Sequence, residues 1–426
     1  VARPPLLLRT YGRLANLAAP LLLRRIRDRL IAHGTAPART RERLGYATAQ
    51  RPAGPLIWFH GASVGESLSA LPVIEGLRAQ ASTPTILVTS GTATSAQILA
   101  QRLPAGCIHQ FAPLDSTAAL RRFNAHWQPD LMVLMESEIW PQMIATAPCP
   151  VVLLNARLSP RALARWQKLG ASAGWLLGQL TLIVTQTDTT ATGLRSLGVT
   201  PNRIRTGGNL KAAATPPTAD PTELAALKIV LGTRPCWLAA STHAGEEALL
   251  LEVHKTLLAT APDLCLILAP RHPDRAGRVA RMIADAGLAL TRRSKGEAPS
   301  AQVYLADTLG EMGLWYRTAP LTFVGGSLTP NGGHNPWEAA PLGTALLTGP
   351  YLQNCADDWQ MLADARGAYT RLRPDQLTDA LQGMLNDPQI GRDMADNAAA
   401  CAAEQGDDLA RIVTELIALL PPKDTA

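Results

Sequence analysis

The sequence predicts an α/β protein built as two doubly wound halves, each a parallel sheet with helices on both faces. Three observations carry this expectation. Short apolar runs alternate with amphipathic stretches from Pro55 onward, the pattern of strands buried on both faces and of the helices that cover them. The alternation stops at "KAAATPPTADPTELAAL" (Lys211 to Leu227) and then restarts. A chain of 426 residues also exceeds what one ordinary core organises, so two domains of roughly 150 to 200 residues are expected.

The first element is "PPLLLRTYGRLANLAAPLLLRRIRDRL", where Leu7, Tyr11, Leu14, Ala18 and Leu21 recur at helical steps and Arg9, Arg13, Asn16, Arg24 and Arg27 fall on the other side. Its uncharged run, Leu14 to Leu23, is about half of what a membrane-spanning helix needs. Arginines flank that run on both sides and no small-residue cleavage site follows, so a cleavable signal peptide is not expected. The helix reads either as one lying in the membrane interface, its arginines on anionic headgroups, or as a soluble helix packed on the first domain. Residues 1–43 carry ten arginines against Asp28 and Glu42, a net of +8; the whole chain is +6, which leaves −2 for the remainder. The basic character therefore belongs to this segment and suits a polyanionic surface. A nucleic-acid partner is not expected.

Seven strands follow in the first half: "LIWFH", "TILVTS", "CIHQFA", "LMVLME", "VVLLN", "LIVTQ" and "RIRTGG". Helices such as Leu68–Gln80 and Thr94–Arg102 lie between them. The second half offers "CWLAAS", "LCLILAP", "VYLAD", "LTFVGGS", "TALLTG" and "AYTR". The expected boundaries are a basic N-terminal segment over 1–45, a first Rossmann-like domain over 46–210, a linker over 211–227 rich in Ala, Pro and Thr, and a second Rossmann-like domain over 228–426, whose last helix is free to pack back on the first. Six cysteines without a CxxC pair read as buried free thiols rather than a disulfide framework or a zinc site.

Missing signatures narrow the chemistry. The chain has neither G-x-G-x-x-G nor a P-loop. It has no Asp-x-Asp or His-x-x-x-His pair, and Glu136-Ser137-Glu138 comes closest to a metal site. In open α/β sheets ligands sit beyond the carboxyl ends of strands, so the loops there hold the candidates. "HGASVGE" admits three readings. Ser63 in G-x-S-x-G fits a hydrolase nucleophile elbow; Glu66 fits a general base; Glu66 also fits an acid complementing a helix dipole. The elbow follows the very first core strand with no HGGG-type segment before it, which disfavours the hydrolase. "MESEIWP" places two carboxylates two apart, on one face if extended and diverging if helical. "NARLS" and "GGNLK" are weaker motifs.

In the second half, "ASTHAGEE" offers Ser241, Thr242 and His243 where hydroxyls and backbone N–H groups suit a phosphate or carboxylate. "APRHPDR" sets Arg271 beyond a strand, as a phosphate clamp or as a surface ion pair. "DTLGEMGLWY" and "GGSLTPNGGHNPWEAA" are the strongest stretches. In the latter, a proline-marked helix start puts Glu338 in a first turn, where it could take ribose hydroxyls while N–H groups hold a phosphate; His334 reads as loop-capping.

Taken together, "WFHGASVGE", "ESEIWP", "NARLS", "GNLK", "STHAGEE", "PRHPDR", "DTLGEM" and "GGHNPWEAA" resemble the 3-deoxy-D-manno-octulosonic acid (Kdo) transferases of lipopolysaccharide synthesis, in the family's order from about Trp58 to Ala340. The resemblance implies a GT-B glycosyltransferase architecture, two Rossmann-like domains facing across a cleft, with the acceptor on the N-terminal one and the nucleotide on the C-terminal one. It implies CMP-Kdo as donor, a lipid A precursor of the lipid IVA type as acceptor, inversion at the anomeric centre, no metal or other cofactor, and a place at the cytoplasmic face of the cell inner membrane, peripheral or N-terminally anchored. By motif, Glu66 is the proton acceptor; Pro270, Arg271, Gly310, Glu311, Met312, Asn335, Pro336, Trp337 and Glu338 contact CMP. Ser241, Thr242 and His243 are candidates for the donor phosphate or the Kdo carboxylate, and Ser63, Glu136, Glu138, Arg157 and Lys211 for the acceptor. Trp337 stands where a smaller apolar residue is usual, and Gly61 where alanine or another small residue is common. A sugar-nucleotide epimerase on the same fold and a non-catalytic lipid-binding protein of that fold are the alternative readings.

Overall fold

Uninterrupted apolar runs of four to six residues, flanked by Gly, Pro and Ser, form the interior strands of two parallel sheets. The computed structural model describes residues 3–80, 83–207, 209–210 and 216–421. The first sheet holds β1 (Leu56–His60), β2 (Thr85–Ser90), β3 (Ile108–Phe111), β4 (Leu131–Met135), β5 (Val151–Ala156), β6 (Leu182–Thr185) and β7 (Ile204–Thr206). Its spatial order is β3-β2-β1-β4-β5-β6-β7. The second holds β8 (Cys236–Thr242), β9 (Cys265–Pro270), β10 (Leu290–Arg292), β11 (Val303–Leu305), β12 (Leu321–Val324), β13 (Ala345–Thr348) and β14 (Ala368–Tyr369), ordered β10-β11-β9-β8-β12-β13-β14. Every pairing is parallel. Strands β1 and β4 are buried along their whole length, as sheets covered on both faces require.

The chain divides into two compact units, residues 1–211 with 405–426 and residues 212–404. The helix Pro388–Ala418 contributes its last turns to the first unit. There Val413 and Leu416 join the core beneath β1 and β2, and Arg205 pairs with Glu415 at 2.9 Å.

Three expectations need correction. Strand β10 was not expected: "LTR" is three half-exposed residues at a sheet edge, too short and polar to make an apolar run. The linker expected over 211–227 gives way to a helix, Pro221–Leu231, because the Asp220 carboxylate caps the N–H groups of Thr222 and Glu223 and Pro221 takes the first helical position; residues 211–215 lie outside the described residues. The helix expected over Leu68–Gln80 is two, Val64–Ser69 and Leu71–Arg78, joined at Ala70.

The N-terminal helix runs Leu6–Ala32 with Pro20 inside it. The reading of a helix packed on the first domain is the one the structure shows. Leu8, Gly12, Ala19 and Leu30 are buried on the first unit, where a Cβ on Gly12 would come within 2.7 Å of the Gln142 side chain. Tyr11 donates to Asp115 at 2.8 Å. On the opposite side of the helix, Leu14, Leu17 and Leu21 are 66%, 78% and 69% exposed. No helix among the described residues is long and apolar enough to cross a membrane.

A 3-10 segment, Pro37–Leu44, fastens the chain to β3. Glu42 is fully buried, accepts two bonds from Arg39 at 3.0 and 3.2 Å and one from the Phe111 N–H at 2.6 Å. Removing one partner of a buried, hydrogen-bonded charge pair typically costs about 3 kcal/mol. Glu42→Ala is therefore expected to lower stability by about that amount in denaturant unfolding, while Arg25→Ala on the exposed helix surface changes it by less than about 0.5 kcal/mol. Equal effects would contradict this role for Glu42.

Candidate functional site

Strand order reverses direction between β1 and β4 in the first sheet and between β8 and β12 in the second. Such switch points open a crevice at the strand carboxyl ends, and the loops leaving those four strands carry most of the candidate residues.

After β1 the chain turns at Gly61 directly into the Val64–Ser69 helix. A Cβ at Gly61 would lie 2.9 Å from the backbone of Glu66 and Ser67, so glycine lets the helix start lie against the strand end. Ser63 caps this helix: its Oγ accepts the Glu66 N–H at 3.3 Å, and Glu66 Oε2 accepts the Ser63 N–H at 2.7 Å, a capping box. The serine hydroxyl is thus occupied as a cap. The nearby His60 ring is turned elsewhere, which removes the nucleophile-elbow geometry.

Glu138, on the loop after β4, belongs with Glu66. It is 8% exposed, accepts the Trp140 indole N–H at 2.6 Å and lies 3.3 Å from His60 Nε2. An ionised carboxylate only accepts, so the proton at that contact sits on Nε2. Thr89 Oγ1, 3.0 Å from Nδ1, also accepts from Trp58 Nε1 at 2.8 Å, which fixes the ring. Burial works to raise the Glu138 carboxyl, but the bonds and charge from His60, the Trp140 bond and a bond from Glu66 hold it below the ordinary range. Glu66 moves the other way. Burial raises it, against its bonds to Ser63, and the charges of Glu138 and Glu136 raise it further. The two carboxylates are pushed apart, Glu138 towards lower and Glu66 towards higher proton affinity.

Glu136 and Asn155 end β4 and β5 in left-handed backbone, at φ 54° and 56°. Non-glycine residues hold such a conformation only where surroundings fix it. Asn155 Nδ2 reaches Glu136 Oε1 at 3.4 Å, and Asn155 Oδ1 accepts the Leu210 N–H at 3.2 Å. Neither the extended nor the helical geometry expected for "ESE" occurs. The turn sends Glu136 towards Asn155 and Glu138 towards His60. Arg157 is exposed beyond β5; Lys211 lies outside the described residues.

In the second unit, Ser241 repeats the strained ending at φ 54°, where the register of β8 shifts. The fully buried Glu246 accepts four backbone N–H groups, from His243 at 2.9 Å, Gly326 at 2.7 Å, and Ser327 and Leu328 at 2.8 Å each. It thereby joins the loops after β8 and β12. Glu247, also fully buried, accepts from Thr242 at 3.2 Å and from Arg275 at 2.7 Å. Beside this frame, His243 and His334 meet Nε2 to Nε2 at 2.8 Å with stacked rings, and His272 stands edge-on to His243. Burial, then the field of His243, Arg271 and His272, pushes His334 down to about 4. The Arg271 guanidinium is exposed and takes no ion-pair partner among the described residues, so the surface ion pair does not form.

The remaining candidates divide. Gly310, Glu311 and Met312 follow β11 and open the Met312–Thr318 helix, but the Glu311 carboxylate is held by Arg293 at 2.6 Å and by the Thr308 hydroxyl. The Glu311 side chain is thus engaged within the protein while staying partly exposed. At Asn335–Glu338 the expected helix start is a single turn, closed by Ala339 and Ala340 N–H bonds to the Pro336 carbonyl at 3.0 Å. The Trp337 side chain points into the core, 2% exposed, and donates to Asp358 at 2.9 Å. Glu338 remains exposed near the Met312–Thr318 helix, where burial first and its charge second raise the Tyr316 phenol. His60, Trp140 and the buried Glu246 and Glu247 were missed as partners. All four sit inside quoted motifs, but nothing in residue spacing distinguishes a loop-bracing acid from a ligand-binding one. Among the described residues no group of three His, Cys, Asp or Glu side chains forms a metal-binding cluster.

A profile of the family described as "3-Deoxy-D-manno-octulosonic-acid transferase (kdotransferase)" matches residues 38–214. The Arabidopsis thaliana protein named probable mitochondrial 3-deoxy-D-manno-octulosonic acid transferase is 34% identical over 396 residues, 90% of this chain and 89% of that protein. The 3-deoxy-D-manno-octulosonic acid transferases of Haemophilus influenzae and Bordetella pertussis are 33% and 34% identical, over 82% and 86% of this chain and 83% and 88% of theirs. Among solved structures, a glycosyltransferase from Rickettsia africae superposes with a TM-score of 0.56 at 11% identity, over 86% of this chain and 99% of that one. A UDP-GlcNAc 2-epimerase from Neisseria meningitidis does so with a TM-score of 0.55 at 13% identity, over 85% and 99%. These two likenesses establish a shared fold, that of GT-B glycosyltransferases, and leave the chemistry to the site.

Proposed function

The chain belongs to the 3-deoxy-D-manno-octulosonic acid transferase family and is a glycosyltransferase; on that premise we propose that it moves Kdo from CMP-Kdo to a lipid A precursor of the lipid IVA type, with inversion, without a metal, and with Glu66 as general base. The observation that carries the base assignment is the raised proton affinity of Glu66 beside Glu138 at the switch point of the first sheet. A base must be strong enough to accept a hydroxyl proton as the bond forms, and an ordinary surface glutamate is too weak. In the step, the acceptor oxygen bonds to the anomeric carbon of Kdo, the bond from that carbon to the CMP phosphate oxygen breaks, and the hydroxyl proton passes to Glu66. The departing CMP gains charge. Arg271 and the backbone N–H groups of the loops braced by Glu246 and Glu247 are suited to that charge, which gives a cationic site without a metal. The Asn335–Glu338 turn and the backbone of Gly310–Met312 suit the nucleoside, with the Glu338 carboxylate for ribose hydroxyls.

The same reading puts the N-terminal helix in the headgroup region of the inner membrane's cytoplasmic face. Its support is the row of exposed leucines opposite the docked face, flanked by Arg9, Arg13 and Arg27. The sugar-nucleotide epimerase reading draws on fold alone and is not favoured by any feature of the site.

Purified protein given CMP-Kdo and a tetraacylated lipid A precursor is expected to yield Kdo-lipid and CMP, read by mass. Glu66→Ala should fold and lose transfer by a factor of about a hundred or more. Ser63→Ala should remain active while losing about 1 kcal/mol of stability with its cap. Normal turnover by Glu66→Ala, or loss of activity with a chelator, would each overturn the mechanism. Separately, the protein should co-sediment with phosphatidylglycerol-containing vesicles, and a Leu14→Glu, Leu17→Glu double variant should not while unfolding at the same temperature. Wild-type protein left in the supernatant would refute the membrane assignment.

A further inference from the structure

Among the described residues Arg43 is a cation without a counter-ion, at the working edge of the first sheet. It sits in the 3-10 segment that Glu42 fastens to β3, and the Leu114 N–H bonds to its carbonyl at 2.8 Å. Of the five N–H donors of its guanidinium, one is used, by the Ala112 carbonyl. Its Nε is sealed from solvent with no hydrogen-bond partner, and burial, unopposed by any acid, lowers the group to about 10. A partly buried cation with a sealed, unbonded donor is costly to the fold.

The guanidinium borders a cavity of about 80 Å³. His60, Ala62, Asp115, Trp140 and Met143 also line it, so it lies at the carboxyl ends of β1 to β4, with Ala62 directly preceding the Ser63–Glu66 cap. Asp115 does not neutralise Arg43. Its Oδ2 accepts from Tyr11 at 2.8 Å and the Gln142 N–H at 3.1 Å, and its Oδ1 accepts the Met143 N–H at 2.7 Å. At about 30 Å³ per water, the cavity admits a group the size of a phosphate and not a sugar ring. Gly91 is shared with a second cavity of about 260 Å³, lined by Ile26, Arg29, Leu30 and His33 of the N-terminal helix and the turn after it. That neighbour lies on the docked face of the N-terminal helix, beside its last turns.

We propose that the cavity beside Arg43 is an anion subsite that takes a phosphate monoester of the acceptor glycolipid, with Arg43 as its ligand. The identity of the anion rests on the transfer reading above; the subsite itself rests on the orphaned guanidinium and the cavity. A bound phosphate would receive the unused N–H donors and orient the sugar hydroxyl towards Glu66.

The test compares acceptor KM and kcat for a phosphorylated tetraacyl disaccharide and for the same lipid after phosphatase treatment, with wild type, Arg43→Gln and Arg43→Lys. Loss of charge-assisted bonds should raise the wild-type KM about ten- to a hundredfold for the dephosphorylated lipid, with kcat nearly kept. Arg43→Gln should show that higher KM for both lipids, and Arg43→Lys an intermediate value for the phosphorylated one. Inorganic phosphate should compete with the phosphorylated lipid on wild-type enzyme, a reading that needs no variant to fold. Equal KM values for the two lipids on wild type, or unchanged discrimination in Arg43→Gln, would overturn the subsite. If wild type transfers Kdo to neither lipid, the transfer reading fails, and the subsite is judged by thermal unfolding in inorganic phosphate. A stabilisation in wild type that Arg43→Gln lacks supports it, and equal shifts in both refute it.

Discussion

Carboxylates that accept backbone N–H groups hold the working edges of both sheets in shape. A parallel sheet ends in loops whose donors have no strand to pair with, and buried donors need partners. Glu42 meets that need for Phe111, Asp115 for Gln142 and Met143, and Glu246 for four loop N–H groups at once. Each of these acids is surrounded by donors. Glu66 is built from the same device, since it closes a capping box with Ser63, but its other neighbours are Glu138 and Glu136. Glu66 alone of these acids faces like charge, and burial first, then the charges of Glu138 and Glu136, raise its proton affinity.

Much of this was legible in the sequence, for reasons that differ by element. Strands such as "LMVLM" and "CLILAP" are fully buried, so composition alone marks them. Strand β10 lies at an edge and carries no such signal. The glutamate of "SVGE" stood among three readings. The structure shows the capping role, with Glu66 beside Glu138, and leaves the hydroxyl of Ser63 as a cap. His60 ends a strand that was read correctly, but its contact with Glu138 spans 78 positions, a distance no local pattern encodes. Trp337 and Glu311 matched nucleotide-binding motifs. Their side chains serve the core and an ion pair instead, because a motif fixes the backbone path more firmly than the direction of every side chain. Arg43 was hidden for the opposite reason. Within ten arginines of one basic segment, nothing in the sequence separates the one whose charge is turned inward.

The N-terminal helix shows how one element serves two environments. Small residues on one side let it dock closely, as Gly12 does against Gln142, while leucines remain exposed on the other. Arg43 and the Glu66–Glu138 pair lie on the same unit as this helix.

Glu66 as base rests on a proton affinity raised by burial and, after burial, by the charge of Glu138. The most direct measurement is the acid limb of the kcat/KM pH profile, which reports the base in free enzyme, for wild type and Glu138→Gln. Activity requires deprotonated Glu66, and removing the neighbouring negative charge lowers the pH at which it loses its proton. In Glu138→Gln the acid limb is expected to move to lower pH. A limb that stays in place, or moves to higher pH, would contradict this role for Glu66.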